Sequence, residues 1–271
     1  MPELPEVETT CRGIAPHITG QRITRVVVRE RRLRLPIPRH FAARVAGQEI
    51  GGVERRGKYL LVRCSGGTLI IHLGMSGNLR LVAAAKPAEK HDHVDLCLNN
   101  GLALRLRDPR RFGLMVWTEE DPLLHPLLSG LGPEPLTAAF SGAYLVKRAH
   151  GRTVTVKQFI MDAKVVAGVG NIYANEALFM AGVHPRRAAG KVTAAEYALI
   201  ARAIKRVLRR AIAAGGTTLR DYVNGEGRPG YFSQQLSVYG RAGQPCRHCA
   251  RMIETVSMGQ RSTYFCPHCQ T

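Results

Sequence analysis

The chain has 271 residues, 45% of them hydrophobic, with 39 Lys and Arg against 20 Asp and Glu, a formal net charge of +19 and a pI near 10.3. That length accommodates two domains with a sizeable core, and neither a run of about 18 apolar residues nor a basic segment followed by an apolar stretch marks a membrane span or a secretion signal. A soluble intracellular, cytoplasmic protein is expected, and the surplus charge favours a nucleic-acid partner over a merely basic surface or, given no helix both strongly basic and strongly apolar, a membrane.

In chain order, MPELPEVETTCRGI sets Leu4, Val7, Cys11 and Ile14 on one helical face, and Pro5 suits a first helical turn. ITRVVVRE carries a β-branched run. KYLLVRCSGGTLIIHLG is two apolar runs around Gly66-Gly67, a hairpin signal. HVDLCLNNGLALRLRD alternates at Val94, Leu96 and Leu98, turns at Asn99-Asn100-Gly101, and alternates again at Leu102, Leu104 and Leu106. Short strands with such turns suggest an antiparallel sandwich or barrel. Gly and Pro then punctuate HPLLSGLGPEPL, and a domain boundary is expected there.

Beyond it, QFIMDAKVVAGVGNIYANEALFMAGVHP reads as helix, glycine turn, helix. TAAEYALIARAIKRVLRRAIAAGG starts with a capping box, Thr193 with Glu196, and stops at Gly215-Gly216. Its apolar pairs are Leu199/Ile200, Ala203/Ile204, Val207/Leu208 and Ala211/Ile212. The glycine-bearing DYVNGEGRPGYFSQQ reads as a mobile loop.

Of seven cysteines, Cys11, Cys64 and Cys97 stand among apolar neighbours, as small buried hydrophobes do. The other four form two C-x-x-C pairs, Cys246/Cys249 and Cys266/Cys269, separated by 16 residues. That spacing fits a four-cysteine ribbon holding one structural Zn²⁺, closed to substrate and supplying folding energy to a short segment. Two disulfides are disfavoured without a secretion signal, and His248 and His268 are the alternative ligands.

If the initiator methionine is removed, Pro2 becomes a free secondary amine. An α-amino group titrates near 7.7–8.0 in model compounds, so a fair fraction is neutral at physiological pH, more so beside the positive end of a helix. Attack on an aldehyde-like carbon gives an iminium that is cationic without an added proton, an electron sink beside carboxylates that shuttle protons. From chemistry alone, a Pro2 that merely begins the chain, followed by Glu3, Glu6 and Glu8 suited to a helix N-terminus, is the favoured reading.

MPELPEVET, HLGMSGNL, KHDHVD, DPRRFG, GVGNIYANEALF, PGYF and QRSTYFCPHCQ, in this order from Met1 to Gln270, resemble the bacterial formamidopyrimidine-DNA glycosylases. The resemblance implies excision of oxidised purines, 8-oxoguanine and formamidopyrimidines, from duplex DNA, then strand cleavage by β- and δ-elimination at the abasic site. It makes Pro2 the nucleophile at C1′, Glu3 the general acid/base, and Glu6 a second acid nearby. It makes Lys58 the proton donor for β-elimination and Arg261 the group for δ-elimination and phosphate contact. Lys58 stands out by itself: it is the only lysine before Lys86 in an arginine-rich chain, and an ammonium exchanges protons where a guanidinium does not.

A base within a duplex must be everted before C1′ is attacked. Met75, Arg110 and Phe112 match the family's void-filling residues: a flexible thioether, a planar cation and an aromatic wedge. His72, His91, Arg152, Lys157 and Asn171 are further DNA contacts, Asn171 either capping the helix after the glycine turn or binding phosphate. The DYVNGEGRPGYFSQQ loop is expected to close over the everted base. The endonuclease VIII branch, which removes oxidised pyrimidines, lacks the Met/Arg/Phe set, and a non-catalytic zinc-bearing DNA-binding protein would not need Pro2, Glu3 or Lys58.

The expected fold class is α+β. An N-terminal antiparallel β-sandwich with a leading α-helix spans 1–132. A helical domain with a helix–two-turn–helix and the lesion loop spans 133–235, and a β-hairpin zinc ribbon spans 236–271. The expected partner is double-stranded DNA with oxidised purines or abasic sites, bound by a monomer without a membrane.

Overall fold

The computed structural model describes residues 1–217 and 232–271; most of the glycine-bearing loop, 218–231, lies outside the described residues. The chain divides into two compact units. The first holds Met1–Ser129 and the stretch beginning at Ala214; the second holds Gly130–Ala213 and Phe232–Thr271.

The first unit begins with α1, Leu4–Ile18. Glu3 caps it in a reciprocal box with Glu6, and Pro5 sits in the first turn, where a missing N–H costs nothing. Leu4, Val7 and Ile14 are fully buried and Cys11 is 8% exposed, so the face expected from the spacing is the face that packs. Then come β1 (Ile23–Val28), the short helix α2 (Phe41–Val45), β2 (Ile50–Arg56), β3 (Tyr59–Cys64), β4 (Gly67–His72), β5 (Asn78–Ala83), β6 (Asp92–Leu98), β7 (Leu102–Arg107) and β8 (Leu114–Thr118). They form two four-stranded antiparallel sheets, in order β1-β6-β7-β5 and β2-β3-β4-β8. Hairpin register pairs Leu60 with Ile71 and Val62 with Leu69 in one sheet, and Leu96 with Leu104 and Val94 with Leu106 in the other. These side chains, with Phe41, Ile50 and Met115, share one core with α1. Two such faces packed together make the sandwich, each buried Leu, Ile or Val contributing about 1.5–3 kcal/mol.

The alternation along β6 and β7 does not leave the polar face in water. Arg105 is 1% exposed, and its Nε and Nη2 donate to Asp95 at 2.8 Å each, while Nη1 reaches Asp92 at 3.3 Å. Its remaining N–H groups donate to the carbonyls of Lys86 and Pro87. The network ties the 86–91 loop to the sheet. Cys11 and Cys97 are buried as expected, whereas Cys64 is only partly so.

The second unit holds α3 (Gly142–Ala149), α4 (Val156–Met161), α5 (Asn171–Ala181), α6 (Ala194–Ala213) and the hairpin β9 (Glu254–Met258) and β10 (Arg261–Phe265). α6 starts at the expected capping box, with Thr193 N–H donating to Glu196 at 2.8 Å. Ile200, Ile204, Val207 and Leu208 are buried, but Leu199 is 42% exposed, so its packed stripe is narrower than the apolar pairs suggest. RSTYF forms β10 in the zinc hairpin. Among the described residues, no helix is long and apolar enough to cross a membrane.

Candidate active site and nucleic-acid interface

Pro2, Glu3 and Glu6 all lie buried at the head of α1, while Met1 is 44% exposed. Glu6 Oε2 accepts from Glu3 N–H and Oε1 from Thr217 N–H, both at 2.8 Å. Gly216, at φ +85°, lies so close to that carboxylate that an added Cβ would come within 3.1 Å of Oε1. Both Glu6 oxygens receive backbone donors, a geometry suited to holding the terminus in place. Glu3 sits directly behind Pro2, at the positive end of the helix.

A cavity of about 300 Å³ opens beside the terminus, lined by Met1, Arg34, His72, Gly74, Met75 and Phe112. Met75 and Phe112 project outward, 40% and 46% exposed, from two loops stitched together by Asp108. The Asp108 carboxylate, fully buried, accepts from Ser76 Oγ and from Gly113 N–H at 2.7 Å each, and Ser76 Oγ accepts from Arg110 N–H. Gly74 has φ +63°, and a Cβ there would strike the Phe112 and Gly113 backbone at 2.4 Å, so only glycine lets the loops meet. The Arg110 guanidinium stacks 5.0 Å from the Phe112 ring centre. His91, at φ +75°, accepts from Asp108 N–H through its carbonyl, which sets it beside the same loop.

His72 packs its ring against Tyr59 and accepts from Gly74 N–H at 2.9 Å through Nδ1. That bond leaves Nε2 to carry the proton and donate. Burial first, then the charges of Lys58 and Arg34, lower its pKa to about 4. Lys58, on the β2–β3 turn, thus lies near enough for its charge to act on His72. His72 is neutral at pH 7, and the unfolded chain, near the ordinary 6.5, binds the proton first. Its contribution to stability is complete above about pH 6.5 and is lost as pH falls toward 4. His72→Gln is expected to shrink the difference between urea midpoints measured at pH 7 and pH 4.5; an unchanged difference contradicts this assignment.

The second unit holds the other expected residues. Arg261 is exposed at the start of β10, beside the Gly259–Gln260 turn. Ser262, its neighbour, accepts through its carbonyl from Asn171 Nδ2 at 3.0 Å and Lys157 Nζ at 3.2 Å. Lys157 also donates to Thr263 Oγ1 at 2.7 Å and is 1% exposed. Its ammonium thus braces the strand that carries Arg261 and is not presented to solvent. Gly170, not Asn171, is the N-cap residue of α5; Asn171 occupies the first helical position and reaches across to β10. Arg152 is exposed in the segment between α3 and α4.

The four zinc-motif cysteines converge, all Sγ atoms within 4.8 Å of one another, with Cys246–Cys269 at 3.9 Å and Cys249–Cys266 at 3.4 Å. Zn–S bonds of about 2.3 Å at tetrahedral angles require edges of about 3.8 Å, so the donor set fits one structural Zn²⁺.

Arg34, Asp108 and Glu176 were not foreseen as site residues. Glu176, 5% exposed on α5, accepts three consecutive backbone N–H bonds, from Ser237 at 2.8 Å and from Val238 and Tyr239 at 2.9 Å. This anchors the entry to the zinc module. Glu176→Ala orphans three donors and is expected to cost about 3–5 kcal/mol in urea unfolding; a loss below about 1 kcal/mol contradicts the anchor. An ANE tripeptide within a helical pattern carries no signal for this, because the partners lie some 60 residues on.

Three family models match the chain: the formamidopyrimidine-DNA glycosylase N-terminal domain over residues 1–115, its H2TH domain over 131–223, and a zinc finger found in FPG and IleRS over 243–271. The chain is 61% identical over 270 residues to the formamidopyrimidine-DNA glycosylase of Pseudomonas putida strain GB-1 and 58% to that of Stutzerimonas stutzeri, with 100% of both chains covered in each comparison. Among solved structures it resembles MutM (FPG) from Thermus thermophilus, at 40% identity and TM-score 0.89 over 99% of this chain and 98% of that one. It also resembles a Lactococcus lactis FPG mutant in complex with a Fapy-dG containing DNA, at 33% identity and TM-score 0.92 over 100% of each. The chain belongs to the formamidopyrimidine-DNA glycosylase family.

Proposed function

We propose that this chain excises oxidised purines from duplex DNA as a bifunctional glycosylase and abasic-site lyase, acting as a monomer. The observation that carries the reading is the pairing of Pro2 and Glu3 at a rigid helix head with a cavity that Met1 itself lines. Removal of Met1 turns Pro2 into a free amine next to the place where Met1 lines that space. The relatives it matches over their full length are named as formamidopyrimidine-DNA glycosylases, and the Lactococcus lactis proteins are complexes with Fapy-dG or abasic DNA.

In this reading the Pro2 nitrogen attacks C1′ as the glycosidic bond breaks and the base leaves with its electron pair and a proton. Glu3 protonates O4′, opening the sugar to the iminium. Glu3, now a carboxylate, takes a C2′ proton and the 3′ phosphate leaves with its electron pair, Lys58 donating a proton to it; a second elimination, assisted by Arg261, expels the 5′ phosphate, and water releases the sugar fragment from Pro2. Met75, Arg110 and Phe112 fill the space the everted nucleotide leaves. His72, through Nε2–H, with His91, Asn171 and Arg152 hold phosphates, while Lys157 positions Arg261's strand. Zinc supplies no chemistry to these steps; it folds the hairpin.

The test is an 8-oxoguanine duplex labelled on the damaged strand. Free 8-oxoguanine and a one-nucleotide gap flanked by phosphates on both sides are expected. Excision of an oxidised pyrimidine in preference to 8-oxoguanine points to the endonuclease VIII branch, and binding without release points to a non-catalytic protein.

A further inference from the structure

β8 is the outer strand of its sheet. Folded proteins blunt such edges with charges, prolines or bulges, because unpaired N–H and C=O groups template a further strand. The sequence here, Leu114–Thr118, is LMVWT, with no charge and no proline. On its open side the backbone bond found among the described residues is Arg34 N–H to Gly113 O at 3.0 Å, just ahead of the strand. No other strand pairs with this edge among the described residues.

A second cavity of about 300 Å³ lies against the same edge. Leu35, Pro36, Phe41, Met115, Val116 and Trp117 form its apolar walls, and His40 and Arg44 its rim. The walls are set in advance. Arg31 donates to the carbonyls of Ile37 at 3.2 Å and Pro38 at 2.7 Å, fixing the turn that carries Leu35 and Pro36. The Trp117 ring rests on Gly67, where an added Cβ would lie 2.7 Å from it. Leu35 remains 40% exposed. His40 and Arg44 on the rim are exposed, as is Arg39, the sequence neighbour of His40. The nearby acid, Glu119, pairs with Arg44 at 3.7 Å, with both side chains more than half exposed, a contact that a competing carboxylate exchanges readily.

An uncharged outer strand, an apolar pocket lined by that strand's own Met115, Val116 and Trp117, and a cationic rim match the way an extended peptide is recognised. We propose that this face docks an acidic segment of a partner protein, which adds antiparallel to β8 as a fifth strand and inserts one aromatic side chain between Leu35 and Trp117. Main-chain bonds along β8 supply affinity, the pocket selects the aromatic residue, and Arg39, His40 and Arg44 select acidic flanks. The residues differ from those proposed to act on DNA, so partner and DNA bind together, and the proposal stands or falls apart from the catalytic reading.

The chain contains one tryptophan, Trp117, so its emission reports the pocket alone. The probe is the peptide Ac-Asp-Glu-Phe-Thr-Val-Glu-Asp-NH2, titrated into the full-length zinc-loaded protein. A saturable emission change is expected, weakened at least tenfold when alanine replaces the phenylalanine, when the central amides are N-methylated, and in Leu35→Glu. Arg44→Glu, with an unchanged urea midpoint, is expected to weaken it several-fold. An equal response to a heptapeptide of aspartate alone, or competition by undamaged duplex, assigns binding to charge on the DNA-contacting surface and overturns the proposal. So does equal binding of the N-methylated peptide, silence at millimolar peptide, or a concentration-dependent dimer abolished by Leu35→Glu, which gives the edge to a second copy of this chain.

Discussion

A chain carrying one extra residue ahead of Pro2 is expected to lose base excision by at least about 10³-fold while keeping its fold and its affinity for abasic-site duplex. The extra residue converts the imino nitrogen into a tertiary amide, whose lone pair is delocalised into the carbonyl and attacks nothing. Nothing else in the molecule changes: Glu3 still caps α1, Glu6 still accepts from Glu3 and Thr217, and the 300 Å³ cavity still has His72, Arg34, Met75 and Phe112 on its walls. Glu3→Gln, which leaves the amine intact, is expected to cost about 10²–10⁴-fold in the rate of base release, the range for a positioned general acid. Excision at the parental rate by the extended chain contradicts the assignment of Pro2.

Zinc removal carries the second large effect. The core around the cysteines is small: Phe179, Val238, Cys246, Ile253 and Cys266 are its buried members, two of them ligands. Such a segment draws its folding energy from the metal, about 10–16 kcal/mol for structural zinc in peptides at pH 7. Chelation, or Cys249→Ser, is expected to expose the amides of β9 and β10 to full hydrogen exchange while those of β3, β4, β6 and β7 remain protected. Arg261 sits at the tip of that hairpin, and Lys157 and Asn171 hold it through Ser262. Affinity for damaged duplex is therefore expected to fall with the zinc content, by 10-fold or more. Unchanged protection of the hairpin in metal-free protein contradicts a zinc-dependent fold.

Much of this molecule was legible because the signals are local. The α1 face, the Gly66-Gly67 hairpin, the Thr193 capping box and the two C-x-x-C turns each depend on residues a few positions apart, and each is found where its spacing directs. What was hidden depends on partners distant in sequence. Alternation along β6 and β7 marked one apolar face correctly, but nothing in it says that Asp92, Asp95 and Arg105 are buried as a mutual ion network on the other. Lys157 was expected to contact DNA; burial against Thr263, over a hundred residues away, makes it a strut. Gly74 and Asp108 were visible as parts of HLGMSGNL and DPRRFG, yet why those blocks need glycine and aspartate emerges only where the two loops touch. The resemblance carried residue roles that spacing alone left open, above all for Pro2.

Borohydride reduction in the presence of an 8-oxoguanine duplex, followed by mass mapping of the cross-linked peptide, tests the central claim most directly. The result expected is a DNA adduct on the N-terminal peptide at Pro2, with Met1 absent. An adduct on Lys58 or any other residue, or full excision activity with no trapped adduct, contradicts it.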